Sequence, residues 1–227
     1  VDELLRLGKE AGIGRFMVFS TATNPHQVEH VNDFIAGQCA AHPEFVGLGT
    51  MHIEYPDMER ELDRIKGLGL RGIKIHPDIQ KFALDDERLF PLYEMLGEKN
   101  MLLIAHTGDY RFRFSGPERM ERVAKLFPKT RFIGAHFGGW SEWDAALRLL
   151  PPLENVWVDT SSTFGFVGTE MMKRAIASFD RSRILFGTDY PIWEPAEEVR
   201  SIRELGLPED LTEDILGNNF ELLLQSL

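Results

Sequence analysis

Two histidines and an aspartate close three apolar runs of this chain: His106 ends LLIAH, His136 ends FIGAH and Asp189 ends ILFGTD. Each run reads as a buried strand, and each polar residue is followed within two positions by Thr, Gly or Pro, where a strand gives way to a loop. Imidazole and carboxylate are donor types suited to a divalent metal such as zinc. A bound metal of this kind lowers the pKa of its water to about 7 and polarises carbonyl oxygens. Three such residues at equivalent strand ends describe one site built on the carboxyl ends of parallel strands, where the chemistry of a (β/α)8 barrel sits.

The elements that must position them alternate along the chain. Seven strand-like runs start at Arg15, Phe45, Gly72, Met101, Arg131, Val156 and Arg183. Between them lie helix-like segments over 25–41, 57–68, 86–98, 117–127, 142–150, 169–178 and 196–205. Apolar strands alternating with amphipathic helices indicate a parallel sheet covered by helices. An open doubly wound sheet normally carries a glycine-rich phosphate turn after its first strand. The first run here leads into STATNPH, so a closed barrel is preferred. The chain opens on a helix, with Leu4, Leu5, Leu7 and Ala11 on its apolar side. The expected fold is therefore one (β/α)8 barrel domain over residues 1–227 whose first strand is missing from this sequence.

A formal net charge of −11 argues against nucleic acid or an anionic membrane surface as partner. No apolar stretch approaches the roughly 20 residues of a membrane helix. The single cysteine, Cys39, rules out an internal disulfide and fits a cytoplasmic setting. A small-molecule substrate is the expected partner, with a homo-oligomer as a further expectation.

The ordered set GIKIHP, LLIAHTG, FIGAHFGG, VWVDTSS, ILFGTDYP and ILGNNFELLL resembles the amidohydrolase superfamily, in the branch that includes aminocarboxymuconate-semialdehyde and resorcylate-type decarboxylases. The resemblance implies that His106 is a metal ligand and that Asp189 is a ligand or the acceptor of a proton. It implies that His136 orients water or substrate and shuttles a proton, a role suited to an imidazole near neutral pH. The family carries a His-x-His pair on its first strand, and no such pair occurs here. His26 and His30, four apart, read as a solvated helix face.

Other candidates flank this set. His52 and His76 end strands and could face the pocket, and Lys74 lies two residues before His76. Asp159 could hydrogen-bond a ligand or support the neighbouring rim. Tyr110, Arg111 and Arg113 follow His106 closely, and arginine is shaped for bidentate carboxylate recognition. With His76 they are the expected substrate-binding residues. Phe137, Trp140 and Trp143 could line an apolar wall or pack the next helix. The expected activity is metal-dependent hydrolysis of a small carboxylated or cyclic substrate, with zinc as the metal. Non-oxidative decarboxylation is the alternative within enzymes, and a catalytically inactive barrel acting as a binding protein is the alternative of another class.

Overall fold

Eight short parallel strands and eleven helices alternate along residues 1–227, all of which the computed structural model describes. The strands are β1 (Phe16–Val18), β2 (Phe45–Gly47), β3 (Gly49–Thr50), β4 (Gly72–Ile75), β5 (Leu102–Ala105), β6 (Arg131–Gly134), β7 (Val156–Asp159) and β8 (Ile184–Leu185). The helices are α1 (Asp2–Glu10), α2 (Val28–Ala41), α3 (Met58–Gly67), α4 (Pro77–Gln80), α5 (Phe90–Glu98), α6 (Pro117–Leu126), α7 (Trp143–Leu149), α8 (Thr169–Ser178), α9 (Pro195–Glu204), α10 (Glu209–Glu213) and α11 (Asn219–Gln225).

β1 pairs with β2, and β3 to β8 pair in sequence order, every pair parallel. The run from Phe45, expected as one strand, is divided at Leu48 into β2 and β3. Leu48 still donates its N–H to the Val18 carbonyl, so the two pieces act as one stave. Seven staves thus form the wall of a (β/α)8 barrel, with a seam between β1 and β8. β4 and β5 are buried along their whole length, as strands covered on both faces must be. Residues on and beside several strands, Leu48, Leu102, Ile104, Ile133, Ala135 and Leu185, build an inner core, while a larger core fills the layer between sheet and helices.

Local chemistry starts several helices where the sequence indicates. Asp57 Oδ1 accepts from the Arg60 N–H at 3.1 Å, and Asn24 Oδ1 accepts from the His26 N–H at 3.1 Å. At the carboxyl rim, Gln80 ties three loops together. It donates to the Ala22 and Met51 carbonyls at 2.7 and 2.8 Å and accepts from the His76 N–H at 2.8 Å. No helix is long and apolar enough to cross a membrane.

Candidate metal and proton-transfer site

The strand ends turn into the barrel mouth through backbone that L-residues rarely adopt. His136 (φ 61°), Phe137 (φ 53°), Ser162 (φ 46°) and Asp189 (φ 55°) are all left-handed. Each such residue costs on the order of 1 kcal/mol or more, and such strain concentrates at functional sites. Phe137 is wholly buried, and the Trp143 indole N–H donates to the His136 carbonyl at 3.0 Å, so packing and hydrogen bonding hold the turn. Gly138 completes it: a Cβ there would lie 2.4 Å from a Leu150 methyl. Gly108, at φ 103°, lets the β5 loop lie against the backbone of Trp140, where any side chain would collide.

His106 and His136 are brought together, with Nδ1 of His106 and Nε2 of His136 3.1 Å apart. The other nitrogen of His136, Nδ1, lies 3.0 Å from both the carbonyl and the hydroxyl of Ser161. A carbonyl only accepts, and the Ser161 hydroxyl donates to Asp159 Oδ1, so Nδ1 of His136 must carry the proton. In the neutral ring Nε2 is then an acceptor, and it takes the proton of His106 Nδ1. The chain Asp159–Ser161–His136–His106 therefore leaves the Nε2 lone pair of His106 free. That atom is buried and has no partner in the chain. Fixing the tautomer of a ligand histidine through its second nitrogen is how metal sites orient their ligands.

The donors that converge on this nitrogen are those of His76 and Asp78, all three lying within 4.8 Å of one another. Asp78 Oδ2 is 3.8 Å from His106 Nε2, and the His76 ring stacks on His106 with centroids 4.0 Å apart. Nδ1 of His76 is a second buried nitrogen without a partner. Metal–ligand bonds of about 2.1 Å need these atoms to close by roughly 0.5–1 Å. Two unsatisfied imidazole nitrogens beside a carboxylate fit a divalent transition metal in donor type. Burial, the Lys74 charge and the His136 charge push His76 down to about 4. Burial also drives His106 far below its ordinary range, so both rings are neutral donors at neutral pH. Burial raises Asp78, partly offset by the Ser115 hydroxyl it accepts from.

Asp189, expected as a metal ligand, stands outside this group. Its Oδ2 accepts from the Ser162 hydroxyl at 2.6 Å, and that hydroxyl in turn accepts from the Trp193 indole at 2.9 Å. It shares a cavity wall with His136, Asp159 and Lys74. The Lys74 ammonium lies 4.9 Å from the centre of the Phe19 ring, and burial lowers its pKa against the pull of Asp159 and Asp189. His52 braces its own loop, its Nδ1 accepting from the Glu54 N–H at 3.2 Å, and His26 and His30 are solvent-exposed.

Of the residues expected to bind substrate, His76 stands instead with Asp78 and His106, and Arg111, Arg113 and Tyr110 lie on the rim above. Arg111 is held in a bidentate pair with Asp109 at 2.8 and 2.7 Å and stacks 5.2 Å over Trp140. The pair leaves it less free for a substrate carboxylate than expected. Arg113 is exposed, and Tyr110 is 64% exposed. Trp140, Trp143 and Trp193 surround the exposed ring of Phe166 at 5.4, 6.3 and 6.1 Å, giving the mouth an aromatic rim. Asp78 is the donor that sequence reasoning missed. The signal was the spacing His76-Pro77-Asp78 directly after a strand.

The parallel-strand barrel is found in known proteins. An uncharacterised TIM-barrel protein of Bordetella bronchiseptica superposes with a TM-score of 0.84 at 23% identity, over 100% of this chain and 83% of that one. A dihydroxybenzoic acid decarboxylase of Polaromonas, solved with bound manganese, gives 0.74 at 18% identity, over 99% and 85%. At these identities the likeness establishes the fold. In sequence, the chain is 24% identical over 240 residues to 2-amino-3-carboxymuconate-6-semialdehyde decarboxylase of Dictyostelium discoideum, covering 84% of this chain. It spans 64% of the length of that relative. Residues 5–221, which include every donor described above, match the amidohydrolase family, and the chain belongs to that family.

Proposed function

We propose that this barrel is a metal-dependent, non-oxidative decarboxylase of a small aromatic or unsaturated carboxylic acid. The observation that carries the reading is the 3.1 Å hydrogen bond joining a proton-transfer imidazole, His136, to the imidazole whose free nitrogen faces the metal donors. The similarity to decarboxylases in sequence and fold supports this chemistry over the hydrolysis expected from the sequence.

His106 Nε2 would hold the metal, with His76 Nδ1 and an Asp78 oxygen as the donors within reach. Asp189 is the further carboxylate of the cavity, placed to balance positive charge at His136. A divalent ion in this position, zinc or manganese, would bind and polarise oxygens of the substrate. The protein supplies the rest. Loss of CO2 breaks a C–C bond and leaves an electron pair on carbon, which a proton must take up. His136 opens onto the cavity and is our candidate donor of that proton. Burial disfavours its protonated form, while the charges of Asp159 and Asp189 favour it, so the ring can gain and lose a proton during turnover. The aromatic rim offers stacking surfaces to a planar substrate, and Arg113 and Tyr110 stand where they can meet its polar substituents.

The test is CO2 release from a panel of carboxyl-13C hydroxybenzoates and carboxymuconates by the zinc- or manganese-loaded protein, beside His136→Gln. Metal-dependent release that falls about 10²-fold or more in the variant is the expected result. Turnover of lactones or amides with no CO2 from any acid would return the hydrolytic reading.

A further inference from the structure

Two indoles reach the candidate site from the rim. The Trp143 N–H donates to the His136 carbonyl at 3.0 Å, and the Trp193 N–H donates to the Ser162 hydroxyl at 2.9 Å. An indole nitrogen can only donate, so the Ser162 oxygen is the acceptor, and its own hydrogen is directed to Asp189 Oδ2, 2.6 Å away. Trp193 therefore orients the hydroxyl that orients the carboxylate. Trp143 pins the left-handed turn that carries the His136 ring. One further ring touches both indoles: Phe166 lies 6.1 Å from Trp193, edge-on, and 6.3 Å from Trp143, tilted. Trp140 closes the cluster at 5.4 Å from the same ring.

Phe166 ends the stretch of chain that grips the two groups from the inside. The Ser161 carbonyl accepts from His136 Nδ1 at 3.0 Å and from the Thr163 hydroxyl at 2.9 Å. Thr163 is buried, and its carbonyl accepts from the Phe166 N–H at 3.0 Å. Residues 161–166 thus form one hydrogen-bonded turn that holds His136 and Asp189 at its inner end and carries an aromatic ring at its outer end. Gly165 lets Trp193 close over this turn, since a Cβ there would lie 2.3 Å from the indole. The Phe166 ring is itself 54% exposed. Half in water, it gains less from burial than a core phenylalanine, and its aromatic contacts all fall on the three indoles.

We propose that Phe166 is a positioning residue for His136 and Asp189. Its ring wedges the Trp143 and Trp193 indoles so that each N–H keeps its acceptor. Through those bonds the imidazole and the carboxylate keep a fixed relation in the cavity they share. A misplacement of about 1 Å at reacting groups can cost about 10²-fold in rate, so such a device acts on turnover more than on affinity. Its effect on turnover rests on His136 being the proton donor of a decarboxylase. The coupling of both indoles through one ring does not.

The test follows indole hydrogen exchange by NMR in the zinc-loaded protein. Phe166→Leu should speed exchange at the Nε1–H of both Trp143 and Trp193 at least about 10-fold. The amides of Leu103 and Ile133, in the barrel wall, should be unchanged. Gly165→Ala adds a methyl against Trp193 alone and should speed only that indole, and Phe166→Tyr should keep protection at both. In CO2 release, Phe166→Leu should lower kcat about 10-fold or more at unchanged KM and metal content. Unchanged exchange at either indole in Phe166→Leu, or lost protection at the wall amides as well, would overturn the proposal. A rise in KM with kcat unchanged would overturn it too, since that marks a ring that only stacks on substrate. If the parent releases CO2 from no acid, the decarboxylase reading fails, and the exchange at the two indoles alone decides the positioning role.

Discussion

In the proposed site metal binding would turn on Nε2 of His106, and the residues behind it decide whether that nitrogen carries a lone pair or a proton. Ser161→Ala removes the hydroxyl that joins His136 to Asp159. It should weaken metal binding by about 10- to 100-fold, the scale of losing an outer partner of a ligand histidine, while His106→Ala should abolish it. Calorimetric titration with zinc and manganese separates the two effects. The depressed pKa of His76 makes a further prediction for the metal-free protein. In the unfolded chain His76 takes up a proton near its ordinary 6.5, in the fold only near 4. Its contribution to stability is complete above pH 6.5 and is lost as pH falls towards 4, by about 3 kcal/mol. Urea unfolding at pH 7.5 and 4.5 should show this loss and a smaller one in His76→Asn. Equal slopes would mean that the ring is protonated in the fold. Of these residues, His106, His136 and Asp189 were legible because each ends an apolar run. Asp78 was not, because it lies in the short helix α4 behind Pro77, and only the tertiary fold turns it towards His106.

Between elements, two buried polar side chains carry opposite consequences. Gln80 fastens the loops after β1, β3 and β4 through three hydrogen bonds. Gln80→Ala leaves buried groups unpaired and should cost about 2–4 kcal/mol in denaturant unfolding. It should also weaken metal binding, since the backbone N–H of His76 loses its anchor. Glu198 on α9 is the reverse case. It is buried, one carboxylate oxygen has no partner, and burial raises its pKa to about 7. Because the folded group binds its proton more tightly than the unfolded one, stability from Glu198 is present below pH 4.5 and lost as pH rises through 7. Glu198→Gln should therefore be more stable than the parent at pH 8, by about 1–3 kcal/mol, and no more stable at pH 4. Thermal unfolding at the two values checks the sign. The helix-like segment expected from 57 starts at the cap that Asp57 makes to the Arg60 N–H, and α8 spans the expected 169–178. The break at Leu48 was hidden because the run from Phe45 stays apolar on both sides of it.

For the whole molecule, the alternation of apolar runs with amphipathic helices was enough to place parallel strands in a barrel wall, since only a sheet covered on both faces buries such runs. The same reasoning anticipated the common rim, because strands wound one way leave all their carboxyl ends on one side. Of the donor set only His106 was legible as a ligand, because a strand-end residue can turn left or right of its stave. The left-handed backbone at His136 and Asp189 is set by packing that no local pattern records. What unifies rim, relay and fold is the claim that His106 Nε2 is the atom that binds metal. Anomalous diffraction from a crystal soaked in manganese or zinc tests it most directly. The predicted result is one strong peak about 2.1 Å from His106 Nε2, on the side facing His76 and Asp78. A peak bound through His106 Nδ1, or a metal bound elsewhere in the barrel with none at His106, would contradict it.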